Sequence, residues 1–100
     1  MSRYPETPLS DNALYWIGEA RYARGDTQGA LASFRETAER YPFGNKAPDA
    51  LLKAGQCYED LARTEDARAS YSEIERRFPN SALALVAATR RARLDTASSE

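Results

Sequence analysis

The sequence repeats itself at an offset of 37 residues, and that period constrains the fold more than any other feature. Tyr4-Pro5 falls on Tyr41-Pro42, which in turn falls on Phe78-Pro79. Between these marks Asn12-Ala13-Leu14 matches Asp49-Ala50-Leu51, Gly18 matches Gly55, Thr27 matches Thr64, Ala30 matches Ala67, and Phe34 matches Tyr71. The same offset carries Ala47 onto Ala84 and Ala50 onto Ala87 and then fades, so the third unit is a single helix. A chain of 100 residues buries only a modest core, and stacking short units is one way for it to reach stability.

Each unit holds two apolar patterns of helical period separated by a turn. Leu14, Ile17, Gly18 and Arg21, or Leu51, Ala54, Gly55 and Tyr58, fall at i, i+3, i+4 and i+7 on one side of a first helix. Ala30, Phe34 and Ala38, or Ala67, Tyr71 and Ile74, do the same on a second. Arg24-Gly25-Asp26-Thr27 supplies a glycine able to take a left-handed cap, then an Asp or Thr suited to start a helix. The corresponding Ala62-Arg63-Thr64 reads as a degenerate turn. Pro42 and Pro79 lack an amide hydrogen and disfavour helix in the residue before them, so each second helix ends near its aromatic-Pro pair. The pattern predicts an all-α chain of five helices, at about 10–24, 27–41, 47–62, 64–78 and 81–95. The units are then a preceding fragment and linker over 1–9, repeats over 10–44 and 45–80, a capping helix over 81–95, and a disordered tail over 96–100.

The spacing resembles the 34-residue tetratricopeptide repeat (TPR), Trp-x2-Leu-Gly-x2-Tyr, then Ala-x3-Phe, then Pro. The second unit gives Leu51-x2-Ala54-Gly55-x2-Tyr58, Ala67-x3-Tyr71 and Pro79. The first gives Leu14-x2-Ile17-Gly18, Ala30-x3-Phe34 and Pro42, with Arg21 where an aromatic is expected and Tyr22 beside it. Each glycine costs about 1 kcal/mol of helix propensity relative to Ala, so close packing of two helices must outweigh that loss. Ala30 and Ala67 are expected to face the glycines, with Phe34 and Tyr71 filling the space beside them. The extra residues over the 34-residue pattern lie in the linker Tyr41-Pro42-Phe43-Gly44-Asn45-Lys46-Ala47-Pro48.

Composition removes several function classes. The formal net charge is −1 with both signs interspersed, so the positive field needed for non-specific nucleic-acid binding is missing. Apolar runs are a few residues long, against the roughly 20 that span a bilayer, and no charged-then-apolar leader follows Met1, so no direct membrane insertion is expected. With no histidine there is no Ser-His or Cys-His nucleophile pair. The acidic pairs Glu59-Asp60 and Glu65-Asp66 flank a turn without a third ligand in register. Cys57, the single cysteine, sits among Leu61, Ala54 and Tyr58 and reads as a buried small apolar residue. The chain is expected to need no metal or cofactor and not to be an enzyme.

The strings Asn12-Ala13-Leu14-Tyr15-Trp16-Ile17-Gly18-Glu19-Ala20 and Lys46-Ala47-Pro48-Asp49-Ala50-Leu51-Leu52-Lys53-Ala54-Gly55, with Tyr4-Pro5, Arg40-Tyr41-Pro42 and Arg77-Phe78-Pro79-Asn80-Ser81, are more specific than TPR spacing alone. Over about residues 4–95 the chain resembles the C-terminal TPR domain of the YbgF family, the periplasmic Tol-Pal accessory proteins also called cell division coordinator CpoB. The resemblance implies a periplasmic module that contacts TolA and helps couple peptidoglycan synthesis to outer-membrane constriction. Members of that family carry a signal peptide and a trimerising coiled coil before this domain. Tyr4-Pro5 reads as the closing mark of a repeat whose helices are absent, so the chain is expected to be an excised fragment or truncated relative. Arg21 and the turn at Ala62-Arg63-Thr64 depart from the family.

TPR solenoids present the first helices of successive repeats along one concave face. That face is predicted to carry Asn12, Tyr15, Trp16, Glu19 and Tyr22 from the first helix, then Asp49, Leu52, Lys53, Gln56 and Glu59, extended by Arg90 and Arg93. Leu14, Gly18, Ala30, Phe34 and Pro42, with Leu51, Gly55, Tyr58, Ala67, Tyr71 and Pro79, are assigned to packing between helices. Trp16 is the first candidate contact residue, since Trp and Tyr combine apolar area with a polar edge; the competing reading packs it against a neighbouring helix. The basic cluster Arg90-Arg91-Arg93 reads mainly as a solvated face. The Lys and Asn arrangement by which chaperone-associated TPR domains clamp a C-terminal carboxylate has no counterpart among Tyr15, Glu19 and Lys53. The leading reading is a protein- or peptide-binding module with a TolA-like partner. The alternatives are a scaffold of the outer-membrane assembly lipoprotein (BamD) type and a structural segment that self-associates through exposed solenoid ends.

Overall fold

The computed structural model describes residues 9–98, and Tyr4-Pro5 lies outside them. Five helices follow in order: α1 (Asp11–Ala23), α2 (Thr27–Arg40), α3 (Ala47–Asp60), α4 (Thr64–Arg77) and α5 (Ala82–Ser98). Among the described residues there is no strand. Each helix packs on the next in sequence, and α3 also touches α5, so α1, α3 and α5 make one layer and α2 and α4 the other. All boundaries lie close to the predicted ones. The exception of substance is α5, whose helix continues through 96–98, where a disordered tail is expected.

The helix ends follow from local chemistry. Ser10 starts α1 by accepting the Ala13 amide at 3.1 Å, and Asp26 starts α2 by accepting the Gly29 amide at 2.9 Å. The α2 and α4 helices stop at Tyr41 and Phe78, immediately before Pro42 and Pro79. Arg40 lies 5.8 Å from the Tyr41 ring and Arg77 lies 5.1 Å from the Phe78 ring. The pairs Arg40–Glu36 and Arg77–Glu73 repeat one turn further in, so the same stop is built twice. Pro79 is exposed, and its role is to end α4, not to pack as expected. Pro42 is half-buried, and its carbonyl accepts from Arg77 at 3.1 Å.

The Ala62-Arg63-Thr64 turn is not degenerate in shape. Asp26 and Arg63 amides bond the Arg21 and Tyr58 carbonyls at 2.9 and 2.8 Å, and Gly25 and Ala62 amides bond Tyr22 and Glu59 carbonyls at 3.0 and 2.9 Å. The hydrogen bonds are therefore conserved between the two turns although the residues are not.

The core runs along the seam between the layers, with Ala30, Phe34, Ala67, Tyr71 and Ile74 fully buried and Leu14, Leu51 and Tyr58 nearly so. A methyl group on Gly18 would meet the Phe34 ring at 2.6 Å from Cε1, and one on Gly55 would collide with the Tyr71 ring. The expectation that the alanines face the glycines is corrected in one respect: the aromatic ring itself occupies the space left by the absent Cβ. Arg21, in the position that Tyr58 holds in the second repeat, donates to Ser33 Oγ at 2.9 Å and to the Gly29 carbonyl at 3.3 Å. A polar tie to α2 thus replaces the aromatic contact.

Candidate functional site

The predicted face is assembled by α3 at its centre. Lys53 Nζ reaches Glu19 on α1 at 3.4 Å and lies 6.0 Å from the Tyr22 ring. Tyr22 donates its phenol to Asp60 at the end of α3 at 2.5 Å. On the other side the Gln56 amide, with its oxygen toward Arg90 of α5, accepts from Nη1 and Nη2 at 2.9 and 3.0 Å. Glu59 accepts the phenol of Tyr71. Glu19, Tyr22, Lys53, Gln56, Glu59 and Arg90 are therefore brought together on one face, with Asn12 exposed at the start of α1 and Asp49 half-buried in the first turn of α3. Tyr22, Gln56, Glu59, Asp60 and Arg90 line a small polar cleft of about 260 Å³.

Three residues depart from the prediction. Tyr15 is core, at 7% exposure, with its ring 5.5 Å from that of Phe34, because it sits at the edge of α1 that meets α2. Leu52 is half-buried and packs on the core. Arg93 is exposed one turn beyond Arg90, and no contact draws it to the face. Trp16 behaves differently from its neighbour: it is 58% exposed and touches Tyr15 edge-on at 5.5 Å. Within this chain it is a surface residue.

Lys46 and Asp60 were missed, and both have a signal in the sequence. They lie seven residues before and after Lys53, on the stripe that already held Asp49, Lys53 and Gln56. Lys46 Nζ stands 4.9 Å from the Tyr15 ring and 5.6 Å from the Trp16 ring. The cluster Arg90-Arg91-Arg93 divides: Arg90 faces the cleft, Arg91 grips Glu75 of α4 at 2.6 and 3.2 Å, and Arg93 is exposed.

Three phenols and one thiol around this face are held in their protonated forms at neutral pH. The hydrogen bond to Asp60, then burial, pushes the Tyr22 phenol up to about 12. Burial, then the charges of Glu19 and Asp49, pushes Tyr15 up to about 12. Tyr71 is raised by burial and then by its bond to Glu59. Burial and then the charge of Asp60 push the Cys57 thiol up to about 11, which disfavours the reactive thiolate. Among the described residues no group of three or more His, Cys, Asp or Glu side chains converges as a metal site, and no helix is long and apolar enough to cross a membrane.

The tetratricopeptide repeat profile matches residues 12–43 and 49–81, the two helix pairs α1–α2 and α3–α4. No curated protein matches the chain. Repeats of this type are generally non-enzymatic scaffolds for protein partners. With two such units matched over more than half of its length, and the same glycine-to-aromatic contact at the heart of each, the chain belongs to the tetratricopeptide repeat family and is a protein–protein interaction module.

Proposed function

We propose that this module serves a bacterial cell-envelope complex in the periplasm, binding a TolA-like protein segment along the face shared by α1, α3 and α5. In that role it helps couple peptidoglycan synthesis to outer-membrane constriction during division. The envelope assignment is supported by the resemblance of the Asn12–Ala20 and Lys46–Gly55 strings to the YbgF family. The binding surface is supported chiefly by one observation: Trp16, more than half exposed, stands on the face that Lys53 and Tyr22 bind together. An aromatic in that position is the commonest form of interface anchor.

Calorimetric titration of TolA into the wild type and into Trp16→Ala tests this reading. Binding by the wild type, weakened about tenfold or more in a variant whose melting curve is unchanged, is the expected result. No binding by the folded wild type removes the TolA assignment.

A second reading, self-association, is favoured by the outer side of α5. Leu85 is 75% exposed there, with Ala82, Val86, Thr89 and Ala92 also exposed, whereas a capping helix calls for a polar outer face. Sedimentation that depends on protein concentration and is abolished by Leu85→Glu would support it; a monomer at all concentrations removes it.

A further inference from the structure

We propose that Trp16 and Lys46 form a corner that recognises a partner segment in which a carboxylate adjoins an aliphatic side chain. The proposal rests on the binding-module reading and specifies the partner's chemistry at that site. Lys46 is the residue before α3 and pairs with no carboxylate among the described residues; its ammonium instead stands over the rings of Tyr15 and Trp16. An ammonium has three donors, and a ring face engages it from one side only, so donors remain for an incoming anion. The other cation of this end, Lys53, is already held by Glu19. Two acids belong to this end of the module, Asp11 beside Gly44 and Asp49 three residues after Lys46, each in the first turn of its own helix, where the helix amides favour a negative charge. Among the described residues neither of them forms an ion pair with Lys46.

Trp16 supplies the apolar part of the corner, and a second exposed aromatic stands in the linker that leads to Lys46. Trp16 is 58% exposed, and Phe43, three residues before Lys46 in the same linker, is 97% exposed. The second linker carries Asn80 at the position of Phe43, so this aromatic belongs to one end of the module and not to the repeat as such. A ligand that covers Trp16 with an aliphatic group therefore brings its neighbouring side chain to Lys46. Desolvation of the ammonium by that aliphatic group strengthens its bond to a carboxylate and penalises a lysine in the same place.

The chain has one tryptophan, so its emission reports on this corner alone. The test titrates two acetylated, amidated pentapeptides, Leu-Glu-Leu-Glu-Leu and Leu-Lys-Leu-Lys-Leu, into the wild type, Lys46→Gln and Lys46→Glu while following Trp16 fluorescence. We expect the wild type to bind the glutamate peptide about tenfold more tightly, Lys46→Gln to lose most of that preference, and Lys46→Glu to reverse it. Equal response to both peptides in the wild type, or a glutamate preference that survives Lys46→Glu, overturns the proposal. The peptide result is independent of TolA: a charge preference without TolA binding removes only the envelope assignment, and TolA binding through Trp16 without a charge preference removes only the corner.

Discussion

Ala62 fills, in the turn between α3 and α4, the left-handed position that Gly25 fills between α1 and α2: φ is 59° at Ala62 and 85° at Gly25. Both turns close with the same backbone hydrogen bonds. The second turn therefore holds a Cβ where the backbone disfavours one, at about 1–2 kcal/mol.

Replacing Ala62 by Gly relieves that strain, while the added freedom of the unfolded chain takes back about 0.4–1 kcal/mol. The expected net gain is about 0.5–1 kcal/mol, or several degrees in Tm. Gly25→Ala is expected to lose a similar amount, although open space surrounds its Cβ position, because the penalty lies in the backbone. Urea unfolding of the two variants measures both effects, and opposite signs are the expected outcome.

Gly55→Ala places a methyl group against a fully buried Tyr71 ring whose phenol is held by Glu59, so the ring cannot swing aside cheaply. Helix propensity gains about 1 kcal/mol and overpacking loses about 1–3 kcal/mol, so the variant should be less stable despite being a better helix former. Gly55→Leu and Ala67→Trp should be worse still. Thermal melts decide this, and unchanged curves for all three would refute the packing register.

Stability should fall with alkaline pH. Cys57 ionises near 9.0 when exposed and near 11 when folded, so its contribution is fully present below pH 9 and is lost as pH rises toward 11. Tyr15 and Tyr22, raised from 10.0 to about 12, extend the loss over the next window. Chemical denaturation from pH 7 to 11 should show a flat region followed by a decline, and Cys57→Ala should flatten the first part of that decline.

The repeat and its punctuation were legible in the sequence because they depend on single residue types: a proline beyond the first turn ends a helix, as at Pro42 and Pro79, whereas Pro48 fits the first turn of α3, and a glycine kept inside a helix signals a close contact. What the glycine faces was less legible. The aromatic ring, not Ala30 or Ala67, fills the space, since helical period identifies a face but not the depth at which each side chain sits. Tyr15 was misplaced for the same reason, lying on the boundary between the stripe toward α2 and the stripe toward solvent. Ala62 hid a left-handed turn because such turns normally announce themselves by glycine. Pairs across helices, such as Tyr22 with Asp60, join residues far apart in the chain and have no local signature at all. The length of α5 was missed because Ala97 and Ser98 carry no stop signal and no apolar period to extend.

A protein segment bound along α1, α3 and α5 would alter the surroundings of the residues on that face and of few others. Amide-resolved NMR titration of the labelled chain with unlabelled TolA reads this residue by residue. Shifts concentrated at Trp16, Glu19, Lys53 and Gln56, with the exposed sides of α2 and α4 unchanged, are the expected result. Shifts centred on Arg35, Glu39 and Ala69 instead, on the opposite layer, would contradict binding on that face.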